Sequence, residues 1–275
     1  MVEPQNSLQS LPLKRELSLV YIGSLSVAAL TAAASLAGVF FATILYPSEA
    51  LQQSSIPNDL VTLIIGLPML LGSLWAARRG KWLGLLLWPG ALLYGFYNYL
   101  VYLLGMPLSW FTLLYLAIVL LSVYLTFDLY RSIDHAAVYM RLSGRVPIKF
   151  PGWVMLIFGV FFIARVIGVI AAALAEKTSL PMTEIGLAIA DTTLSLLWIV
   201  GGILLLRRNP WGYVSALGLL FAASMLFVGL LAFFLLQPWV AGVPFPVEDF
   251  VVVAVMGLIC FVPFGLFLHG VRGTR

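Results

Sequence analysis

Eight nearly uncharged apolar segments run along the chain, at approximately 18–46, 60–76, 82–104, 108–129, 152–175, 185–206, 211–236 and 250–269. The connections between them are mostly short and rich in Pro, Gly and polar residues, as in Ser48 to Asp59 and Gln237 to Asp249. A helix that crosses a bilayer needs about 20 apolar residues. Inside lipid every backbone polar group must find an internal partner, so such segments form helices. A transmembrane barrel would show strands of alternating character about 10 residues long, and no segment alternates in that way. The pattern predicts an all-α integral membrane protein with eight transmembrane helices.

The positive charges give this pattern an orientation. With the N-terminus inside, the inner segments hold Lys14, Arg15, Arg78, Arg79, Lys81, Arg131, Arg141, Arg145, Lys149, Arg207, Arg208, Arg272 and Arg275, which are 13 of the 15 basic residues. The outer loops hold Lys177 and the acids Glu49, Asp59, Glu176, Glu184, Glu248 and Asp249. Basic residues concentrate on the cytoplasmic side of membrane proteins, so both termini are expected there. The expected division is a cytoplasmic tail at 1–16, a first four-helix half at 17–129, a basic cytoplasmic loop at 130–151, a second half at 152–269 and a short tail at 270–275. Lys14-Arg15 before an apolar run resembles a secretory signal, but that run is about 28 residues against 7–15 for a signal core. An uncleaved first helix is expected. The basic clusters are expected to meet anionic lipid headgroups.

Composition agrees with this reading. The chain is 62% hydrophobic and 9% charged, with a mean hydropathy of +1.07. Soluble domains are about half apolar and a quarter charged. The net charge of +4 follows from membrane topology and implies no nucleic-acid partner. One cysteine excludes an internal disulfide.

Two places suggest an internal repeat. An Arg pair precedes a Trp at one spacing in Arg78-Arg79-Gly80-Lys81-Trp82 and in Arg207-Arg208-Asn209-Pro210-Trp211. Each is preceded by a Pro and an acid, Pro57 and Asp59 in one half and Pro181 and Glu184 in the other. Two four-helix halves that both start inside are parallel, and a symmetry axis along the membrane normal is expected. Tight inner turns also carry basic and Trp residues for topological reasons alone.

The runs Asn58-Asp59-Leu60-Val61, Gly66-Leu67-Pro68, Trp75 to Gly80 and Tyr94 to Tyr99, with Gly201 to Arg208 and Pro210 to Tyr213, resemble a group of uncharacterised bacterial multi-pass membrane proteins. The resemblance covers about 60 residues directly. It implies eight helices in a bacterial cytoplasmic membrane, and it carries no activity, cofactor or site residue.

Missing motifs narrow the chemistry. The two histidines, His135 and His269, lie at the inner side, so membrane haem and di-iron sites have no ligand set. No zinc motif, Cys cluster or Walker A loop occurs. Gly23-Ser24-Leu25-Ser26 has no intramembrane His to activate a serine and reads as helix packing. No cofactor, metal site or catalytic residue is expected.

Two charges remain within the apolar segments. By helical rise, Arg165 lies ~15 Å and Asp191 ~12 Å below the outer end of their neighbouring segments. An ion at such depth costs at least ~2.5–3.5 kcal/mol, so both are expected to face the interior and to pair. The pair either fixes two helices or lines a polar site in which Arg165 takes an anion. Gly168 and Ala172 follow Arg165 on one face. Tyr94, Asn98 and Tyr102 share a face of the third segment, with Tyr97 beside them. Asp191, Ser195 and Trp198 share a face of the sixth, and Tyr115, Ser122 and Thr126 one of the fourth. At the inner side, Asp128, Arg131, Asp134 and His135 read as a solvated helix extension or as an acid–base pair.

Three function classes follow. The leading one is a secondary transporter or binder of a small anionic or amphipathic ligand, with Arg165, Asp191, Asn98, Tyr94 and Ser195 in an outer-half site. The second is a membrane enzyme acting on a lipid or isoprenoid through Asp191 or Asp134, and the absence of a nucleophile or metal motif weighs against it. The third is a non-catalytic subunit of a homo- or hetero-oligomer, packing through small-residue faces such as Ala28-Ala32 and Ala164-Gly168-Ala172.

Overall fold

A computed structural model describes residues 11–273. Expectations for residues 1–10 and for Thr274 and Arg275 lie outside the described residues. The architecture is helical: α1 (Ser18–Phe40), α2 (Glu49–Arg78), α3 (Trp82–Gly105), α4 (Trp110–Ser132), α5 (His135–Leu142), α6 (Lys149–Glu176), α7 (Met182–Leu206), α8 (Pro210–Ala241) and α9 (Val247–Arg272). Seven of these, all but α3 and α5, are long and apolar enough to cross a membrane. Their outward faces are apolar, for example Leu19, Ile22, Ile157, Val251 and Leu258. A water-facing surface would not tolerate so much exposed hydrocarbon.

Helix α3 is the exception that organises the fold. Its 24 residues include Tyr, Asn, Gly and Pro, which lower its hydropathy, yet 15 of them are buried. A helix enclosed by other helices need not be lipid-like on any face. Ser24 Oγ accepts from Trp88 Nε1 at 3.0 Å, and Tyr99 Oη donates to the Thr31 carbonyl at 3.0 Å. These bonds fasten α1 to α3 and give Ser24 a structural role.

Local chemistry sets the helix ends. Ser48, Asp134 and Asn209 cap α2, α5 and α8 through side-chain oxygens that accept backbone N–H groups. Ser109 and Thr112 form a capping box at α4. Pro68 has no N–H to give the preceding turn, and the helix widens there into a π turn at Thr62–Gly66.

The sequence boundaries needed several corrections. The first segment breaks at Phe41, with a single helical turn following at Ala42–Leu45. The expected Ser48 to Asp59 loop is helical, because Ser48 caps a helix that runs through Pro57. Residues 130–151 contain the end of α4, all of α5 and the start of α6. Leu11 to Leu17 is not a free tail. Leu13 pairs with Ile133, Asp134 N–H donates to Pro12 O at 2.7 Å, and Arg15 pairs with Asp128.

The α2–α3 and α7–α8 connections are the same turn, at a constant register of 128 residues. Gly80 N–H bonds Ala77 O and Lys81 N–H bonds Ala76 O; Arg208 N–H bonds Leu205 O and Asn209 N–H bonds Leu204 O. Gly80 and Arg208 are both left-handed, at φ 73° and 55°. Gly84 and Gly212 each lie against the backbone seven residues earlier. Gly90 and Gly218, again 128 apart, touch each other where α3 crosses α8. In this register Arg79 stands at the position of Arg207, and Trp82 at that of Pro210.

Helix contacts follow the same order. α2 packs on α3 as α7 does on α8, α2 on α8 as α3 on α7, and α3 on α4 as α8 on α9.

Candidate functional site

A cavity of about 570 Å3 lies between α2, α3, α7 and α8, at the end of the bundle opposite the two matching turns, with Phe162 of α6 at its side. Tyr94, Asn98, Asp191 and Ser195, four of the five residues singled out in the sequence, line it together with Tyr97, Tyr102 and Trp198. The sequence stripes on α3 and α7 thus converge. The reason is the close approach of the two helices at glycines, where Gly186 lies against the backbone of Gly105 and Val101.

Asp191 is the polar centre of one wall. It accepts from Tyr97 Oη at 2.7 Å and pairs with Arg165 Nη1 at 2.8 Å. The predicted pair is present, but the interior position of Arg165 is not. Arg165 does not line the cavity, and its side chain is 39% exposed against 8% for Asp191. It reaches Asp191 from the outer surface of α6. Gly168 and Ala172 also face outward, and a side chain at Gly168 would meet nothing within 4 Å.

Other walls carry unsatisfied groups. Ser55 Oγ, Ser195 Oγ and Trp198 Nε1 are buried and lack a partner among the described residues. Leaving a buried polar group without a partner costs about 1–3 kcal/mol, and at these three positions a ligand in the cavity could supply the missing bond. Asn98 donates to the Tyr94 carbonyl at 3.0 Å, one turn back on α3. Tyr94 reaches across to α8, where the absence of a side chain at Gly229 makes room for its hydroxyl.

The sequence reading missed one centre beside the cavity. Asp59, expected in an outer loop, is buried at 3% exposure. It accepts from Tyr46 Oη at 2.6 Å and from Tyr102 Oη at 3.2 Å, and Asn58 Nδ2 donates to Tyr102 at 3.1 Å. The rings of Tyr99 and Tyr115 pack beside Tyr102 at tilted angles. Gly38 must stay bare, because a side chain there would occupy the position of the Asp59 carboxylate. The available signal was helical spacing: Ser55, Asp59, Thr62 and Gly66 fall on one face, which a loop reading obscures.

Two other sequence candidates have no part in the cavity. Ser122 and Thr126 are buried on α4, away from it. Asp134 accepts from the N–H groups of Ala136 and Ala137 as the cap of α5, and His135 stacks on Trp211 with centroids 3.9 Å apart, so they form no acid–base pair. Burial and the nearby Lys14 hold the His135 imidazole below its ordinary range. No cluster of three metal-ligating side chains occurs among the described residues. Compared with protein-family models, curated proteins and solved structures, the chain matches none.

Proposed function

We propose that this chain is an eight-span membrane protein of two parallel four-helix repeats that binds a small amphipathic ligand between them, as a secondary transporter or receptor-like binder. Helix α3 supplies the eighth span. Its 24 residues extend about 36 Å, more than the roughly 30 Å hydrocarbon core. The basic turns at 78–81 and 207–208 face the cytoplasm, where they meet anionic headgroups, and both termini lie on that side. The constant 128-residue register supports duplication. The contact of Gly90 with Gly218 supports a two-fold axis along the membrane normal between α3 and α8.

One observation carries the functional reading. The cavity is built by equivalent helices of the two halves, near that axis and away from the cytoplasmic turns. Parallel-repeat transporters place their sites at such an interface. Arg165 is reassigned from ligand contact to surface partner of Asp191. Native mass spectrometry of the purified protein beside Leu187→Trp, which fills the cavity, tests the reading. A small-molecule adduct on the wild type that disappears in the variant is expected. An adduct that survives Leu187→Trp removes the cavity as the binding site.

A second reading rests on the outward face of α6. Arg165, Gly168 and Ala172 are exposed together at span depth, which suits a membrane partner or a second copy of the chain. Stoichiometric co-purification of another chain, lost in Gly168→Trp, would favour a subunit role.

A further inference from the structure

We infer that the ligand of this cavity is an elongated amphipathic organic cation, with its charge at the mouth and a hydrogen-bond acceptor about 20 Å deeper along α7. The inference rests on the binding role proposed above and names its substrate class.

Glu184, Asp191 and Trp198 are spaced at seven-residue intervals on α7, so they share one face, with about 10 Å between successive positions. Glu184 and Asp191 are the charged residues of the cavity wall, and no Lys or Arg lines it among the described residues. Arg165 balances Asp191 from outside, which leaves Glu184 uncompensated by any lining cation. That field repels an anion and favours a cation. The adjoining wall is aromatic, with Tyr94, Tyr97, Phe162 and Trp198. Aromatic faces attract organic cations and solvate an apolar body. Deeper in, Trp198 Nε1 can only donate, and it has no partner among the described residues. Beside it Ser195 Oγ is also unpartnered. A ligand that fills this level must bring an acceptor to Trp198, or leave a buried N–H unmet.

The test uses full-length purified protein and three probes: hexadecyltrimethylammonium, its ω-hydroxy derivative and hexadecanesulfonate. Binding is measured by equilibrium dialysis. Both cations are expected to bind at least about tenfold more tightly than the sulfonate. The ω-hydroxyl is expected to tighten wild-type binding about fivefold, the equivalent of one added hydrogen bond. Trp198→Phe should erase that gain, so that the plain and the hydroxylated cation bind the variant equally, and Glu184→Gln should weaken both cations about fivefold. Preferred binding of the sulfonate, or cation binding indifferent to Glu184→Gln, overturns the inference. If none of the three binds while the native adduct is still lost in Leu187→Trp, the cavity remains the site and the cation class is wrong.

Discussion

The crossing of α3 and α8 gives the sharpest mechanical test of the fold. A Cβ placed on Gly90 would fall on the carbonyl oxygen of Gly218, with the Gly218 carbonyl carbon at 2.9 Å and its Cα at 3.0 Å. Non-bonded carbons sit at about 3.5–4.0 Å, so the helices must move apart along the whole crossing. The obstructing atoms are backbone and cannot rotate away. Overpacking of this kind costs about 1–3 kcal/mol, and the upper part of that range applies here. The helix propensity gained on replacing Gly by Ala returns at most about 1 kcal/mol. Gly95, one helical turn and a half further along α3, has nothing within 4 Å of its added Cβ. Gly95→Ala should therefore be neutral or stabilising by up to about 1 kcal/mol. The two variants should differ by about 2–3 kcal/mol, or about 5–10 °C in apparent Tm for a chain of this size. Cys260, the single cysteine and 2% exposed, supplies the assay. A thiol-reactive fluorophore reports unfolding when that thiol becomes accessible on heating. Equal melting of Gly90→Ala and Gly95→Ala would refute the close crossing and, with it, the axis proposed there.

Two further outcomes follow from the polar contacts. Asp191→Ala and Arg165→Ala should each lower stability by about 2–3 kcal/mol, and the double variant should cost less than their sum, with a coupling above about 1 kcal/mol in the same melting assay; strict additivity would show that the pair contributes nothing. The neutral His135 imidazole is favoured in the folded state, so the unfolded chain takes up the proton first, and stability should fall as pH drops from about 7.5 to about 5.5. His135→Phe keeps the stack on Trp211 and should flatten that slope; an unchanged slope would assign it to other groups.

Much of the bundle was legible because lipid imposes a simple code. Length and hydropathy marked the long helices, and period-3.6 stripes picked out Tyr94, Asn98, Asp191 and Ser195, which line one cavity. The Asp59 failure has a tertiary cause. Ser54-Ser55, Pro57 and Asp59 look like loop residues in water, but Ser48 starts a helix there and the Tyr46 and Tyr102 hydroxyls satisfy Asp59. A tertiary partner distant in sequence overrode local polarity. Arg165 failed differently: the azimuth of α6 was not readable, because apart from Arg165 and Glu176 its outer half is apolar and shows no preferred inward face. The likeness of the two turns was legible only in part: Gly80 and Arg208, 128 residues apart, are both left-handed, and only backbone geometry reveals that.

The central claim is that a cavity between the two halves opens away from the cytoplasmic turns. A Ser195→Cys, Cys260→Ala variant tests it in intact cells with a membrane-impermeant thiol reagent. Labelling from the outside, blocked by prior addition of the binding probe and abolished by Leu187→Trp, is the expected result. Labelling only after the cytoplasmic face is exposed would contradict both the topology and the position of the site.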